Sequence, residues 1–223
     1  VVANAALQSA LRDTLAATNV IERRGCGVTG WSAGDTISSL GLADAAGQEE
    51  TMEAALVVAC DGARSMMAEL AGLGRREERQ RQTAIVTTLR AERPHEGTAF
   101  QRFLPTGPFA LMPGPGDAGG YEMSLVWTLP NDTAQQLIAA DNASFEAACL
   151  EAFGSRLGYL ALAGNRLAWP LQPAWRRRIT APGVVLAGDA AHSIHPLAGQ
   201  GYNLALADAA VLADLVVATH RRG

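Results

Sequence analysis

Residues 188–203 read GDAAHSIHPLAGQGYN; the apolar run VVLA precedes them and a long apolar stretch follows. The pattern predicts a strand ending at Gly188, a turn beginning with Asp189 and a helix beginning near Gly199. Ligands of open α/β folds usually bind at the carboxyl ends of strands. This stretch therefore predicts an α/β fold with a ligand site at a strand end.

The residue types in this stretch suit a cofactor with hydroxyl groups and partial negative charge. A carboxylate such as Asp189 is a strong acceptor for sugar-type hydroxyls. Gly199 and Gly201 let the backbone approach a ligand, and a helix start offers free N–H groups and partial positive charge. For any single residue here, a plain strand–loop–helix turn is the alternative interpretation. The whole string favours a site for a polyol-bearing, partly anionic cofactor.

Two histidines in the stretch raise the question of a metal. Asp189, His192 and His195 are spaced three apart, which is compatible with metal ligands. No further cluster of ligand-type residues supports a metal site, so we expect none. The histidines are predicted to shape the loop or to make hydrogen bonds.

Composition is that of an ordinary folded protein. The 223 residues are 48% hydrophobic and 18% charged, with a formal net charge of −4, so nothing global indicates nucleic acid. The run WRRRI at 175–179 is interpreted as a solvated strand edge rather than a nucleic-acid or anionic-lipid patch. Cys26, Cys60 and Cys149 form no metal-type pair and are predicted to be reduced thiols.

The rest of the chain predicts a mixed α/β fold with an inserted β-rich unit. Apolar pieces between about 80 and 130, separated by Pro and Gly, predict an antiparallel sheet. Helices are predicted over 3–17, 63–72, 132–140 and 143–153, with the last from about 199. Two G-x-G-x-x-G patterns, at 25–30 and 114–119, lack the helix of a nucleotide loop and are predicted to be turns.

The most apolar stretch is 204–218, which carries Asp208 and Asp214. It is too short to span a bilayer and is predicted to be an amphipathic or buried helix. No basic region followed by an apolar run stands at the N-terminus, so no signal peptide is recognised. A cytoplasmic location is predicted, and contact with a membrane surface or a biosynthetic complex is left open.

The segment at 188–209 resembles the second flavin-binding motif of the class A flavoprotein monooxygenases, which share the p-hydroxybenzoate hydroxylase fold. Within that class, HPLAGQGYNL is most similar to the ubiquinone-biosynthesis hydroxylases. ACDGARS, at 59–65, resembles the DG motif of the same class, near the flavin and pyridine-nucleotide pyrophosphates. Further similar stretches lie at 94–113, 124–130 and 153–158.

The resemblance implies an FAD-binding domain of p-hydroxybenzoate hydroxylase type, present in part, with an inserted antiparallel β-rich substrate domain. The FAD-binding part would comprise 1–78 and 176–223, and the substrate domain 79–175. The implied activity is a monooxygenase that hydroxylates an aromatic ring with FAD, NAD(P)H and O2. The implied substrate is an aromatic ubiquinone precursor, with or without a polyprenyl chain. No catalytic nucleophile is expected, because the cofactor carries the chemistry.

The resemblance also assigns roles to residues. Asp189 would hydrogen-bond the ribityl chain, and the backbone of 196–203 would face the isoalloxazine ring. The helix start at 199–201 would stabilise negative charge on the reduced flavin. The full set of implied cofactor-binding residues is Asp61, Gly62, Gly188, Asp189, Pro196, Gly199, Gln200, Gly201, Tyr202 and Asn203.

Three aromatic residues of the β-rich part, Phe103, Phe109 and Trp127, are candidates for an apolar substrate pocket. Core packing in the sheet is the alternative for each of them. Two other functions also stay open: a class A hydroxylase of a small soluble phenol, and a non-catalytic assembly module that keeps the fold. Flavin absorbance in the whole protein would argue against the assembly module.

One part of the family pattern does not appear in this sequence. The family begins with a strand, a G-x-G-x-x-G turn and a helix that bind the ADP part of FAD. The resemblance therefore predicts a fragment of a longer enzyme, with weak or no FAD binding and no hydroxylase activity by itself. Ala68 also stands where the DG motif often has an Arg, which weakens a pyridine-nucleotide role there.

Overall fold

A computed structural model describes residues 4–77, 81–114, 119–195 and 199–222 of the chain. The chain forms two compact units: unit 1 comprises 1–20 with 80–171, and unit 2 comprises 21–79 with 172–223. Each unit has its own hydrophobic core. Unit 2 is thus built from two chain segments with the β-rich segment inserted between them. That the units correspond to cofactor and substrate domains stays a prediction.

The elements follow one another in a mixed order of helices and strands. They are α1 (Asn4–Ala16), β1 (Cys26–Ser32), β2 (Ser38–Asp44), β3 (Glu49–Ala54), β4 (Val57–Ala59), α2 (Met66–Leu70), β5 (Arg75–Glu77), β6 (Gln82–Ala91), β7 (Phe100–Leu104), β8 (Gly107–Pro113), β9 (Glu122–Pro130), α3 (Asn131–Ala139), α4 (Asn142–Phe153), β10 (Leu160–Leu162), β11 (Leu167–Pro170), β12 (Ala174–Arg176), β13 (Thr180–Ala181), β14 (Val184–Leu186), β15 (His192–Ser193) and α5 (Gln200–His220). Short 3-10 turns occupy Ser155–Leu157 and Gly188–Ala190.

Unit 1 is built on a six-stranded antiparallel sheet of order β10-β6-β9-β8-β7, in which β11 also pairs with β6. Along β9, Met123, Leu125 and Trp127 are buried while the residues between them are partly exposed. This period of two puts one face of the sheet in the core. Phe145 and Phe153 of α4 belong to the same core. The antiparallel sheet and the two helices that follow it are as the sequence predicted.

The aromatic candidates divide between the two faces of this sheet. Phe109 lies opposite Trp127 on the neighbouring strand, with ring centroids 5.1 Å apart, and it stacks on Phe153. Phe109 is fully buried and Trp127 is 5% exposed, whereas Phe103 is 76% exposed. Phe103 pairs with Pro108, one residue before Phe109, so its side chain points to the opposite face. Phe109 and Trp127 are therefore packing residues here, and their contact with a substrate stays a prediction.

Unit 2 contains three small sheets. β1, β2 and β3 form an antiparallel meander; β4 pairs in parallel with β14, which also pairs with β13; and β12 lies between β5 and β15. The first G-x-G-x-x-G pattern lies in β1 from its second residue, Cys26, onward, so its interpretation as a turn was wrong. Val28 and Trp31 of that strand pack against the core of unit 2, and this burial stabilises an extended chain despite its glycines. Residues 115–118 of the second pattern lie outside the described residues.

Helix α5 is longer than the apolar stretch at 204–218 that predicted it. The helix has 21 residues, an 18-residue window of it has a mean hydropathy of 1.5, and none of its residues is buried, so it meets the length and composition needed to cross a bilayer. The sequence predicted a helix too short to span a bilayer, or a buried one. Both expectations are corrected, because the helix has 21 residues and none of them is buried. Length and composition alone do not separate such a helix from one covered by other protein.

Candidate functional site

The two sequence motifs of unit 2 lie side by side. β4 and β14 run parallel in register, from Val57 opposite Val184 to Ala59 opposite Leu186. The Ala187 N–H extends this pairing by donating to the Ala59 carbonyl at 3.0 Å. Because parallel strands present their carboxyl ends at one edge, the segments after Ala59 and after Ala187 leave the sheet together. The DG motif and the 188–203 stretch therefore meet at this edge.

A cavity of about 930 Å³ opens between this edge and helix α5. Its volume falls within the range of small-molecule and cofactor sites, roughly 300–1,000 Å³. The walls are mainly apolar, and Asp189 is the only charged side chain among the described residues that line it. Six of the ten predicted cofactor-binding residues line it, namely Gly62, Gly188, Asp189, Gly199, Gly201 and Tyr202.

The other predicted cofactor-binding residues are placed differently. The Asp61 carboxylate accepts from the Met67 N–H in the first turn of α2 at 3.1 Å, and Asp61 is not among the residues that line the cavity. Gln200 and Asn203 lie in the first turn of α5, where the Asn203 amide donates to the Gln200 side chain at 3.4 Å. Pro196 lies outside the described residues. The cofactor role of all these residues stays a prediction.

The start of α5 places backbone N–H groups beside the cavity. Gly199 is the N-cap, with a left-handed φ of 63°, and as a glycine it supplies no side-chain cap to the helix. The first turn carries no acidic residue. The N–H groups of the first turn and the helix dipole therefore supply partial positive charge beside Gly199, Gly201 and Tyr202 of the cavity wall. Such a terminus suits an anion or an electron-rich carbonyl.

Asp208 of α5 is a site residue that the sequence interpretation missed. One carboxylate oxygen, Oδ2, accepts from the Gly188 N–H at 2.8 Å and lies 2.9 Å from His192 Nε2, a contact that becomes an ion pair when the histidine is protonated. Gly201, Ala205 and Asp208 are half-buried while the residues between them are exposed, so they share one face of the helix. The available signal was a carboxylate at that spacing in an otherwise apolar helix.

Arg176 is a second missed residue, and it corrects the interpretation of WRRRI as a solvated edge. Its side chain is 2% exposed, whereas Arg177 and Arg178 are exposed. Arg176 Nε donates to the Ala190 carbonyl at 2.9 Å, and Nη1 donates to the Leu73 carbonyl. The buried guanidinium therefore ties the turn at 188–190 to the segment after α2.

Cys60 adds a neutral thiol to the cavity wall. Burial raises the pKa of this thiol above its usual value, and the nearby Asp61 and Asp208 carboxylates raise it further. The raised pKa keeps the thiol protonated near neutral pH, so it is a poor nucleophile there. Among the described residues, no three His, Cys, Asp or Glu side chains come close enough together to hold a metal ion.

At Gly188 the backbone of the turn at 188–190 comes close to helix α5. The φ of Gly188 is +60°, and a Cβ built on it would lie 3.2 Å from the Ala205 Cβ of α5. We expect Gly188→Ala to lower the free energy of unfolding by about 1–3 kcal/mol, from left-handed strain and from crowding. Chemical denaturation measures this loss.

Gly47→Ala is the matched control for that prediction. Gly47 also has a positive φ, +79°, but a Cβ there would meet nothing within 4 Å. It should therefore show the backbone strain without the crowding. Equal losses for the two variants would contradict the close approach of Gly188 to Ala205.

Known proteins resemble this chain over most of its length. A family model described as FAD binding domain matches residues 4–222. The ubiquinone hydroxylase UbiL of Rhodospirillum rubrum is 44% identical over 174 residues, which are 78% of this chain and 40% of that protein. The 3-demethoxyubiquinol 3-hydroxylase of Escherichia coli is 36% identical, over 75% of this chain and 42% of that protein. The chain thus spans about two fifths of the length of these relatives.

A solved structure shows the same fold. The p-nitrophenol 4-monooxygenase of Pseudomonas putida superposes with a TM-score of 0.74, covering 99% of this chain and 55% of that one at 20% identity. At this identity the similarity concerns the fold alone. It confirms the fold class that the sequence predicted.

Proposed function

This chain belongs to the family of FAD binding domains, and we propose that its unit 2 holds the ribityl and isoalloxazine half of FAD in the cavity beside Asp189. The family membership confirms the resemblance drawn from 188–209 and 59–65, and FAD is the cofactor of the family. The observation that carries the proposal is the meeting of both motifs at one strand edge, with a cavity of suitable size against α5.

The residues present fit this half of the cofactor. Asp189 is exposed in the cavity wall and accepts no hydrogen bond from the described residues, so its carboxylate is available to ribityl hydroxyls. The glycines at 188, 199 and 201 leave the backbone accessible, and the start of α5 suits the electron-rich carbonyl edge of a flavin. The apolar walls suit a flat aromatic ring.

We propose further that the natural protein with this sequence is a monooxygenase hydroxylating an aromatic ubiquinone precursor. The names of the relatives that are 44% and 36% identical support this substrate class. When bound, FAD would supply the redox chemistry, by accepting electrons from NAD(P)H and activating O2. The residues of this chain would bind the cofactor, orient it and exclude water. Peripheral membrane contact by a cytoplasmic enzyme is part of this proposal.

The test of this function uses the purified natural gene product. We expect a flavin absorbance spectrum, and oxidation of NADH or NADPH that is stimulated by a polyprenylated phenol. Mass spectrometry should find one added oxygen atom in the phenol. Absence of flavin in the reconstituted protein would overturn the cofactor proposal. Conversion of only small soluble phenols would overturn the substrate class.

Asp189→Ala tests the cofactor site directly. Loss of a charge-assisted hydrogen bond to a ribityl hydroxyl should weaken FAD binding by roughly 10–100-fold. Titration of the apoprotein with FAD, followed by flavin fluorescence, measures the dissociation constant. Asp214→Ala removes the same charge from α5 outside the cavity and should leave FAD binding unchanged. Wild-type affinity in Asp189→Ala would contradict the assignment.

A further inference from the structure

We propose that Asp208 and His192 form a positioning pair that sets the width of the candidate flavin cavity; the proposal rests on the cofactor site argued above. Neither residue belongs to the cofactor-binding set that the sequence resemblance implies. The pair acts through the turn at 188–190 and through α5, which are two walls of the cavity. It is therefore a positioning device rather than a direct cofactor contact.

A single oxygen atom joins three elements in this pair. Asp208 Oδ2 accepts from the Gly188 N–H at 2.8 Å, and His192 Nε2 lies 2.9 Å from the same oxygen. Asp208 belongs to α5, Gly188 to the turn and His192 to β15. Both side chains are about a quarter exposed, which leaves their electrostatic interaction less screened than one at an open surface. The carboxylate thus connects α5 to the two segments that follow strand β14.

The turn at 188–190 and helix α5 can neither come closer together nor move apart freely. The Ala205 Cβ would lie 3.2 Å from a Cβ on Gly188, so the two elements have no room to come closer. The hydrogen bond from the Gly188 N–H to Asp208 and the close contact of His192 with the same oxygen oppose their separation. If Asp208 is lost, the buried Gly188 N–H has no acceptor, and an unsatisfied buried donor favours opening of the turn. Asp189 follows Gly188 directly, so it moves with the turn.

The position of helix α5 depends on the contacts of Asp208, because few other interactions in the described part of unit 2 hold the helix in place. None of its residues is buried, and the turn at 188–190 is the element against which it packs most closely. A helix with a large buried face would keep its position without one carboxylate. Here the start of α5 and the Asp189 carboxylate keep their spacing through Asp208 and His192.

The experiment compares Asp208→Leu with Asp208→Asn in the natural gene product. Leu has a similar size but no acceptor, whereas the Asn carbonyl oxygen can accept from the Gly188 N–H and contact His192 at the same position. We expect Asp208→Leu to weaken FAD binding roughly tenfold and to shift the visible circular dichroism of the bound flavin, with Asp208→Asn within about threefold of wild type. His192→Ala should weaken FAD binding less than Asp208→Leu does. His192→Gln should restore a hydrogen-bond donor at this position.

Hydrogen exchange of the apoprotein separates this inference from the cofactor proposal. Asp208→Leu should speed amide exchange at 187–191, and Asp208→Asn should not. If wild-type protein binds no FAD, the cofactor proposal fails, and the exchange rates still test the positioning pair. Wild-type exchange and wild-type FAD binding in folded Asp208→Leu would overturn the inference. Should Asp208→Leu fail to fold, unchanged exchange in His192→Ala would overturn it.

Discussion

Replacing Phe109 by Ala is expected to lower the free energy of unfolding by about 3–5 kcal/mol, the usual cost of deleting a buried aromatic side chain. Phe109 is fully buried between Trp127 and Phe153, at centroid distances of 5.1 and 5.9 Å. Its removal leaves a cavity lined by two rings, which a close-packed sheet–helix core cannot fill without strain. Urea denaturation with an unchanged slope measures the loss.

Phe103→Ala makes the same chemical change on the opposite face of the same sheet. Phe103 is 76% exposed, so its removal should change stability by no more than about 0.5 kcal/mol. The pair of variants also distinguishes the two interpretations of the aromatic candidates. If Phe109 served a substrate rather than the core, Phe109→Ala would keep its stability and raise KM. A small stability loss in Phe109→Ala would therefore contradict the packing assignment.

Regular elements with strong local patterns could be predicted from the sequence. β9 alternates buried and partly exposed residues, and Asp141 is the N-cap of α4, where its carboxylate accepts from the Ser144 N–H at 2.7 Å. Both signals are local, so they can be recognised in the sequence without knowledge of the tertiary structure. β1 shows the opposite case. Its glycines are typical of a turn, but pairing with β2 and burial of Val28 and Trp31 override that local preference.

The candidate site could be predicted from the sequence only where its residues lie close together along the chain. Asp189 and the glycines at 199 and 201 stand in one continuous stretch, and the structure brings them to one cavity. Asp208 lies 20 residues from the Gly188 N–H that it binds. Arg176 lies 103 residues from the Leu73 carbonyl. Partners so far apart are set by tertiary packing, and isolated Asp and Arg residues are by default interpreted as exposed.

Arg176→Met should lower the free energy of unfolding by about 3–5 kcal/mol, because it removes a buried charged donor from two carbonyls. Its guanidinium binds the Ala190 and Leu73 carbonyls, and each hydrogen bond to a charged group contributes about 1.5–3 kcal/mol. The 3.6 Å ion pair with Glu69 adds little, since the Glu69 side chain is 68% exposed. Met retains most of the apolar stem, so the loss reports the hydrogen bonds.

Arg178→Met is the matched control, because Arg178 is exposed two residues along the same arginine run. Its stability should stay within about 0.5 kcal/mol of wild type. Equal stability of the two variants would mean that Arg176 is a solvated residue after all. A large loss in Arg176→Met alone would show that the turn at 188–190 is fixed from two sides. Arg176 would then hold it toward the segment after α2, and Asp208 toward α5, with Asp189 in between.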